Sequence, residues 1–297
     1  GDLAGALDAA EKAIEVAPED ATAKLRKAEL LIDMGVREAS KERLATGRAI
    51  VDAVLAKAAD MPEAHFVHAK LDLSEGKADD AVASLRRALD RRPDWAQAHF
   101  LLGSALLMQN DREQARAEVL RAIELDADFV DARRLLTKVH ALLGEHDLAI
   151  EESRRVLRQR PDDREIRIAL AQSLVSSSKP DEARKELESI PPDQRGAEVN
   201  FAIGRIDMLQ GKNEAARESL LAALESQPRN PEILESLLFT ELALERLDES
   251  LARIETLAGD NPTDANLQRL LGIALIASGK GPAGEAKLRQ TIELDPT

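Results

Sequence analysis

Apolar residues between positions 96 and 129 fall into two helical stripes separated by a polar break. The first stripe contains Ala98, Leu101, Leu102, Ala105 and Leu106, and the second contains Ala115, Val119, Ala122 and Ile123. Spacings of three and four residues place each set on one face of a helix. The polar run Gln109-Asn110-Asp111 separates the stripes. The segment therefore predicts two antiparallel helices that need similar neighbours to bury their apolar faces.

The pattern recurs along the chain with a period of 34 residues. Prolines mark this period, with separations of 68 residues from Pro93 to Pro161 and 34 residues from Pro228 to Pro262. One equivalent position of successive units holds a small residue: Ala81, Ala115, Ala149, Ala183 and Ala216. A second small position holds Gly103, Gly204 and Gly272. Such recurring small residues predict that the two helices of each unit cross at close range.

This arrangement resembles the tetratricopeptide repeat family, whose units carry Leu-Gly, then Ala, then a large apolar residue and a closing Pro. The residues that carry the resemblance are Leu102-Gly103, Ala115, Val119 and Ala122 in one unit, and Leu271-Gly272, Leu288 and Pro296 in the last. The aromatic positions of the family mostly hold His or aliphatic residues here, and Tyr is absent. The resemblance covers nearly the whole chain and implies an all-α, right-handed solenoid of about eight helix pairs plus a leading helix.

We expect residues 1–297 to form a single solenoid, as a piece of a longer chain. Its predicted units are a half repeat at 1–20 and full repeats at 21–61, 62–95, 96–129, 130–163, 164–196, 197–230, 231–264 and 265–297. The half repeat favours a fragment, and a natural N-terminal cap is the alternative. The repeat at 21–61 exceeds the period by seven residues, which predicts a longer turn or an extended second helix near 41–58. Ile190-Pro191-Pro192 predicts an early helix end and a local distortion.

Composition and net charge limit the kinds of core and of binding partner that this chain can have. The chain is 44% hydrophobic but only 2% aromatic, so its core must consist mainly of Ala and Leu. A net charge of -14 argues against nucleic acid and anionic membranes as partners. The absence of Cys excludes disulfides and thiolate chemistry. No apolar run reaches membrane-spanning length, so we expect no membrane insertion by this segment. The compartment stays open between cytoplasm and periplasm of a bacterium.

Catalytic and cofactor motifs are absent from the sequence. There is no glycine-rich phosphate loop, no paired cysteines and no Gly-x-Ser-x-Gly turn, and the predicted loops are short. His65, His68 and His99 have a spacing that a zinc site could use. These positions normally hold packing residues in such repeats, so we expect no metal. The sequence predicts a protein that is not an enzyme and needs no cofactor.

The resemblance further implies a concave groove lined by the first helix of each unit. Its predicted partner-binding residues are Phe66, Lys70, Phe100, Leu107, Arg134, Lys138, Phe201, Arg205 and Phe239. Four of the five phenylalanines fall at these positions, which favours a ligand surface. In the alternative interpretation the phenylalanines pack between helices. No Asn stands at the ninth place of a unit, so we expect no carboxylate clamp; the basic residues at that place favour an acidic segment.

Two functions are consistent with these features. The first is a non-catalytic scaffold that binds a peptide or helix of a partner protein. The second is a regulatory or assembly solenoid of a larger bacterial envelope machine, such as one for exopolysaccharide secretion, where similar Ala- and Arg-rich repeats occur. The ends of such a stack would also allow self-association.

Overall fold

The computed structural model describes residues 2–295, which form seventeen α-helices and no strand. The helices group into two compact units, one ending at Pro161 and the other beginning at Asp162. None of the helices in this described part combines the length and the apolar character needed to cross a bilayer. The all-helical class is therefore confirmed.

The described part of the first unit contains a leading helix and four helix pairs. Its helices are α1 (Leu3–Val16), α2 (Ala21–Arg37), α3 (Lys41–Lys57), α4 (Pro62–Ser74), α5 (Ala78–Arg91), α6 (Ala96–Met108), α7 (Arg112–Leu125), α8 (Val130–Leu142) and α9 (His146–Gln159). The two helices of each pair pack closely, and each second helix also packs on the first helix of the next pair.

The second unit contains four further pairs within its described residues. Its helices are α10 (Arg164–Ser176), α11 (Pro180–Glu188), α12 (Pro192–Leu209), α13 (Asn213–Ser226), α14 (Pro231–Ala243), α15 (Leu247–Asp260), α16 (Ala265–Ala277) and α17 (Gly281–Leu294). Many first helices begin at a polar residue whose side chain accepts a hydrogen bond from the first turn, as Asn230 does for α14. The single-solenoid organisation of residues 1–297 stays a prediction.

Small residues bring the helices of each pair into close contact, as the sequence predicts. A Cβ atom on Gly103 would lie 2.5 Å from a methyl carbon of Val119 and 3.2 Å from the carbonyl oxygen of Ala115. A Cβ atom on Gly204 would likewise lie 2.8 Å from a side-chain carbon of Leu220 and 3.3 Å from the carbonyl oxygen of Ala216. The crossing alanines are fully buried. Larger side chains at these crossings would push the helices apart, because the interior is close-packed.

The pair α2 and α3 absorbs the seven extra residues by lengthening both helices. Each helix has 17 residues, compared with 13 in α4 and 14 in α5. The extended second helix is therefore confirmed, and the longer first helix is an addition to that prediction. About one turn added to each helix preserves the facing register. The added turns meet at a second close contact, where a Cβ on Gly35 would lie 2.9 Å from Leu44.

The junction between α11 and α12 carries the distortion predicted at the consecutive prolines. Helix α11 has only nine residues, and Gly196 interrupts α12 with φ 61° and ψ -178°, a backbone conformation that favours glycine. The Arg195 side chain donates hydrogen bonds of 2.9 Å to the carbonyl oxygens of Glu188 and Ile190. These bonds satisfy carbonyls at the end of the shortened helix.

Successive pairs are joined at one repeated contact, which is ionic in some places and aliphatic in others. Within each unit, it links the residue after a crossing position with the residue at the eleventh place of the next repeat. The ionic contacts are Arg48 with Asp72 at 2.9 Å, Arg184 with Asp207 at 2.7 Å, and Arg217 with Glu241 at 3.0 Å. The equivalent aliphatic residues are Val82 and Leu106, and Leu251 and Leu275. All three carboxylates are buried, so each needs compensating partners, and the arginine supplies a positive charge to each of them.

Candidate partner-binding groove

The first helices α12 and α14 of the second unit form an open groove of about 550 Å³. The side chains that line it are Phe201, Arg205, Met208, Leu209, Glu232, Glu235, Ser236 and Phe239. Three of the predicted partner-binding residues therefore line one groove: Phe201, Arg205 and Phe239.

The residues that line this groove differ in exposure and in charge. Phe239 is 47% exposed and Leu209 is 70% exposed, whereas Phe201 is half-buried against the core of the unit. The guanidinium carbon of Arg205 lies 5.8 Å from the centre of the Phe201 ring. Within residues 2–295 Arg205 has no ion-pair partner, while Glu235 on the opposite wall binds Arg269 at 2.9 Å. The groove thus offers apolar surface beside an exposed cation, Arg205, and an exposed carboxylate, Glu232.

The predicted basic residues of the first unit have different surroundings. Lys70 donates to Glu29 at 2.9 Å and lies 3.0 Å from Asp33, so its charge is balanced within the unit. Arg134 lies 3.9 Å from Asp131. Lys138 is exposed and has no ion-pair partner in the described part of the chain. Leu107 is half-buried and packs on the core.

The two phenylalanines predicted in the first unit are both half-buried in aromatic pairs. Phe66 stacks on Trp95 with ring centres 4.4 Å apart, and Arg92 lies 4.4 Å above the Trp95 ring. Phe100 packs against Phe129 at 5.1 Å. Both residues contact the core between successive helix pairs. A partner-binding role for these two rings stays a prediction.

Two groups of residues were not predicted from the sequence. The first group is Trp95 and Phe129, which immediately precede the first helices α6 and α8. A large apolar residue just before a first helix is the sequence signal that could have identified them. The second group is exposed and stands at the thirteenth place of a unit: Met108, Leu142 and Leu209. The sequence signal for this group is a long apolar residue at the end of a first helix, just before the turn to the second helix. Only Leu209 of this second group lines the groove.

The three histidines that could suit zinc have separate partners. His65 bonds to the carbonyl oxygen of Ala59 at 2.8 Å, and His68 lies 2.9 Å from Asp72. His99 donates to Glu118 at 2.6 Å. Burial alone lowers the pKa of His99, but its hydrogen bonds to Glu118 and the Pro93 carbonyl outweigh this and raise the pKa. Across residues 2–295, no three His, Cys, Asp or Glu residues are grouped as metal ligands.

Stacked helix pairs with close crossings and a groove on their first helices define a helical-repeat protein. Two family models, both described as tetratricopeptide repeat, match the sequence, one over residues 72–139 and 140–206 and the other over 197–230. Together they span residues 72–230, which is more than half of the 297 residues. The chain belongs to the tetratricopeptide repeat family. Proteins of this family generally act as scaffolds that bind proteins or peptides.

Solved structures of other repeat proteins share the fold. The chain is 20% identical to YrrB, described as a protein with an unusual peptide-binding site, with 63% of this chain and 96% of YrrB covered and a TM-score of 0.54. It is 19% identical to PilF of Pseudomonas aeruginosa, with 71% and 97% covered and a TM-score of 0.57. For a chain of the Cut9–Hcn1 complex the values are 15% identity, 95% and 61% coverage and a TM-score of 0.54. No curated protein matches the sequence significantly.

Proposed function

We propose that this protein is a non-catalytic scaffold that binds a segment of a partner protein in the groove between α12 and α14. The observation that supports this proposal most strongly is the exposed pair Leu209 and Phe239 beside the uncompensated Arg205. Large apolar side chains in a concave site supply most of the energy of such interfaces. YrrB, which has a similar fold, is described as having a peptide-binding site.

The groove chemistry specifies the bound segment. An apolar side chain would insert between Phe201 and Phe239, and an acidic side chain would approach Arg205. A carboxylate held by a guanidinium makes charge-assisted hydrogen bonds, so it would orient the segment along the groove. We therefore favour a short segment that combines apolar and acidic residues. The envelope-machine alternative, the exclusion of nucleic acid and self-association stay predictions from the sequence.

Selection from a displayed peptide library, followed by titration of the selected peptide, tests the proposal. We expect Phe201→Ala and Phe239→Ala each to weaken binding by roughly 1–2 kcal/mol. Leu120→Ala, which truncates an exposed residue of α7 outside the groove, is the control and should bind unchanged. Phe239 is a sharper probe than Phe100, because Phe100 also packs on Phe129. Unchanged affinity in both groove variants would contradict the proposal.

A separate measurement distinguishes binding from folding. Phe239 is partly exposed, so its truncation should shift the melting temperature little. Leu102 is buried in the core, and Leu102→Ala should lower the free energy of unfolding by about 2–5 kcal/mol. If Phe239→Ala unfolded as readily as Leu102→Ala, its side chain would have to be counted as core.

A further inference from the structure

A second cavity, of about 620 Å³, lies within the first unit among α1, α2 and α3. Apolar side chains that include Ile14, Ile50 and Val54 form its wall, and Lys24 and Lys57 also line it. Its volume is within the range of small-molecule sites, which are mostly apolar with a few polar groups. The cavity differs from the groove between α12 and α14 in its residues and in its charge.

Three other helix pairs have an ionic contact whose equivalent is absent between α2 and α3. In three pairs, the fourth residue of the first helix binds a glutamate that stands three places after the crossing alanine. These contacts are His99 with Glu118 at 2.6 Å, Arg133 with Glu152 at 3.1 Å, and Arg167 with Glu186 at 3.0 Å. The equivalent residues of α2 and α3 are Lys24 and Ile50. Lys24 therefore keeps the cationic position of the contact without the carboxylate.

A second substitution opens the space beside Lys24. Ala53 of α3 stands where three other second helices carry an arginine, at Arg87, Arg121 and Arg155. Ile50 in turn packs on the core and presents an apolar surface. An alanine in place of a long side chain leaves room, and an isoleucine in place of a glutamate makes that room apolar.

The charges around the cavity leave Lys24 weakly compensated. Its nearest carboxylate is that of Glu19, at 4.0 Å, and Glu19 binds Lys57 at 2.7 Å. Lys27, which also lines the cavity, binds Glu11 at 2.8 Å. Three lysines thus share two carboxylates, so the site is complementary to one further negative charge.

We propose that this cavity binds a small amphipathic carboxylate, with an aliphatic chain against Ile14, Ile50 and Val54 and its carboxylate at Lys24. The ligand would supply the carboxylate that three other helix pairs carry as a glutamate. Burial of the chain favours binding through the hydrophobic effect. The ion pair to Lys24 selects an acid over a neutral molecule of the same chain length.

Calorimetric titration of the whole chain with decanoate, decanol and butyrate tests both parts of the site. We expect saturable one-to-one binding of decanoate, with decanol and butyrate each at least tenfold weaker. Lys24→Met should remove the preference for decanoate over decanol. Lys12→Met, which alters an exposed lysine of α1 that pairs with Asp8, is the control and should leave all three affinities unchanged.

Two further variants introduce the residue types that three other second helices carry at each position. Ile50→Glu supplies the missing carboxylate, and Ala53→Arg fills the space, so each should weaken decanoate binding at least tenfold while the protein melts cooperatively. Glu19→Gln should tighten binding, because it removes a competing carboxylate. An increase in affinity cannot arise from misfolding. Equal affinities for decanoate and decanol, no saturation at millimolar decanoate, or wild-type binding by Ile50→Glu and Ala53→Arg would overturn the proposal.

Discussion

The contact between Arg184 and Asp207 joins two successive helix pairs, and we predict its contribution to the free energy of unfolding. Asp207 is fully buried, and both of its carboxylate oxygens contact the Arg184 guanidinium, at 2.7 and 3.4 Å. Arg184→Val removes the cation and leaves the carboxylate without a partner. Breaking a buried ion pair in this way destabilises a protein by about 3–5 kcal/mol.

The double variant Arg184→Val with Asp207→Leu should behave differently. It copies the aliphatic residues Val82 and Leu106, which occupy the same two positions between α5 and α6. Replacing a buried ion pair by apolar residues is often neutral or stabilising, by about 1–4 kcal/mol. We therefore expect the free energy of unfolding of the double variant to be no more than about 1 kcal/mol below that of the parent. This holds although the double variant contains Arg184→Val, which is damaging by itself.

Urea denaturation followed by circular dichroism measures both effects in one double-mutant cycle. Asp207→Leu alone should be the milder single change, because the freed Arg184 side chain can reach solvent. Arg246→Ala removes one partner of the exposed pair with Glu214 and is the matched control, with an expected effect of about 0–1 kcal/mol. A loss of stability for Arg184→Val within the range of this control, or a double variant as unstable as Arg184→Val, would contradict this prediction.

Three further predictions concern single sites. Ala115→Leu should destabilise by about 1–3 kcal/mol through overpacking at the contact with Gly103, and an unchanged melting temperature would refute the close crossing. Gly196→Ala should destabilise the protein by about 1–3 kcal/mol, because Gly196 has a positive φ. Gly259→Ala is the control and should not destabilise it, because Gly259 lies in α15 beside open space. Equal shifts in melting temperature would contradict this prediction. Because the pKa of His99 is raised, its ion pair with Glu118 contributes fully below the ordinary histidine pKa of about 6.5 and is lost as pH rises through the raised value. The melting advantage of the parent over His99→Gln should therefore shrink from pH 6 to pH 9, and a constant difference would exclude this linkage.

Local spacing and steric rules were sufficient to determine the repeat of this protein from its sequence. The 34-residue period, the small residues at the crossings and the early end of α11 before Pro191 follow from which residues lie on one helix face and which stop a helix. The lengthened α3 also follows from the seven added residues. These features depend on residue types and spacings within and between repeats, so their pattern is visible in the chain itself.

Only the tertiary structure decided what the individual side chains contact. Phe66 stacks on Trp95, 29 positions along the chain, while the chemically identical Phe239 stands exposed in the groove. The buried carboxylate of Asp207 binds Arg184 of the preceding helix pair, and Lys24 lines a cavity together with Ile50 of α3. Burial and charge pairing depend on residues brought together from adjacent helix pairs. The same residue type in different repeats can therefore serve the core or an exposed groove.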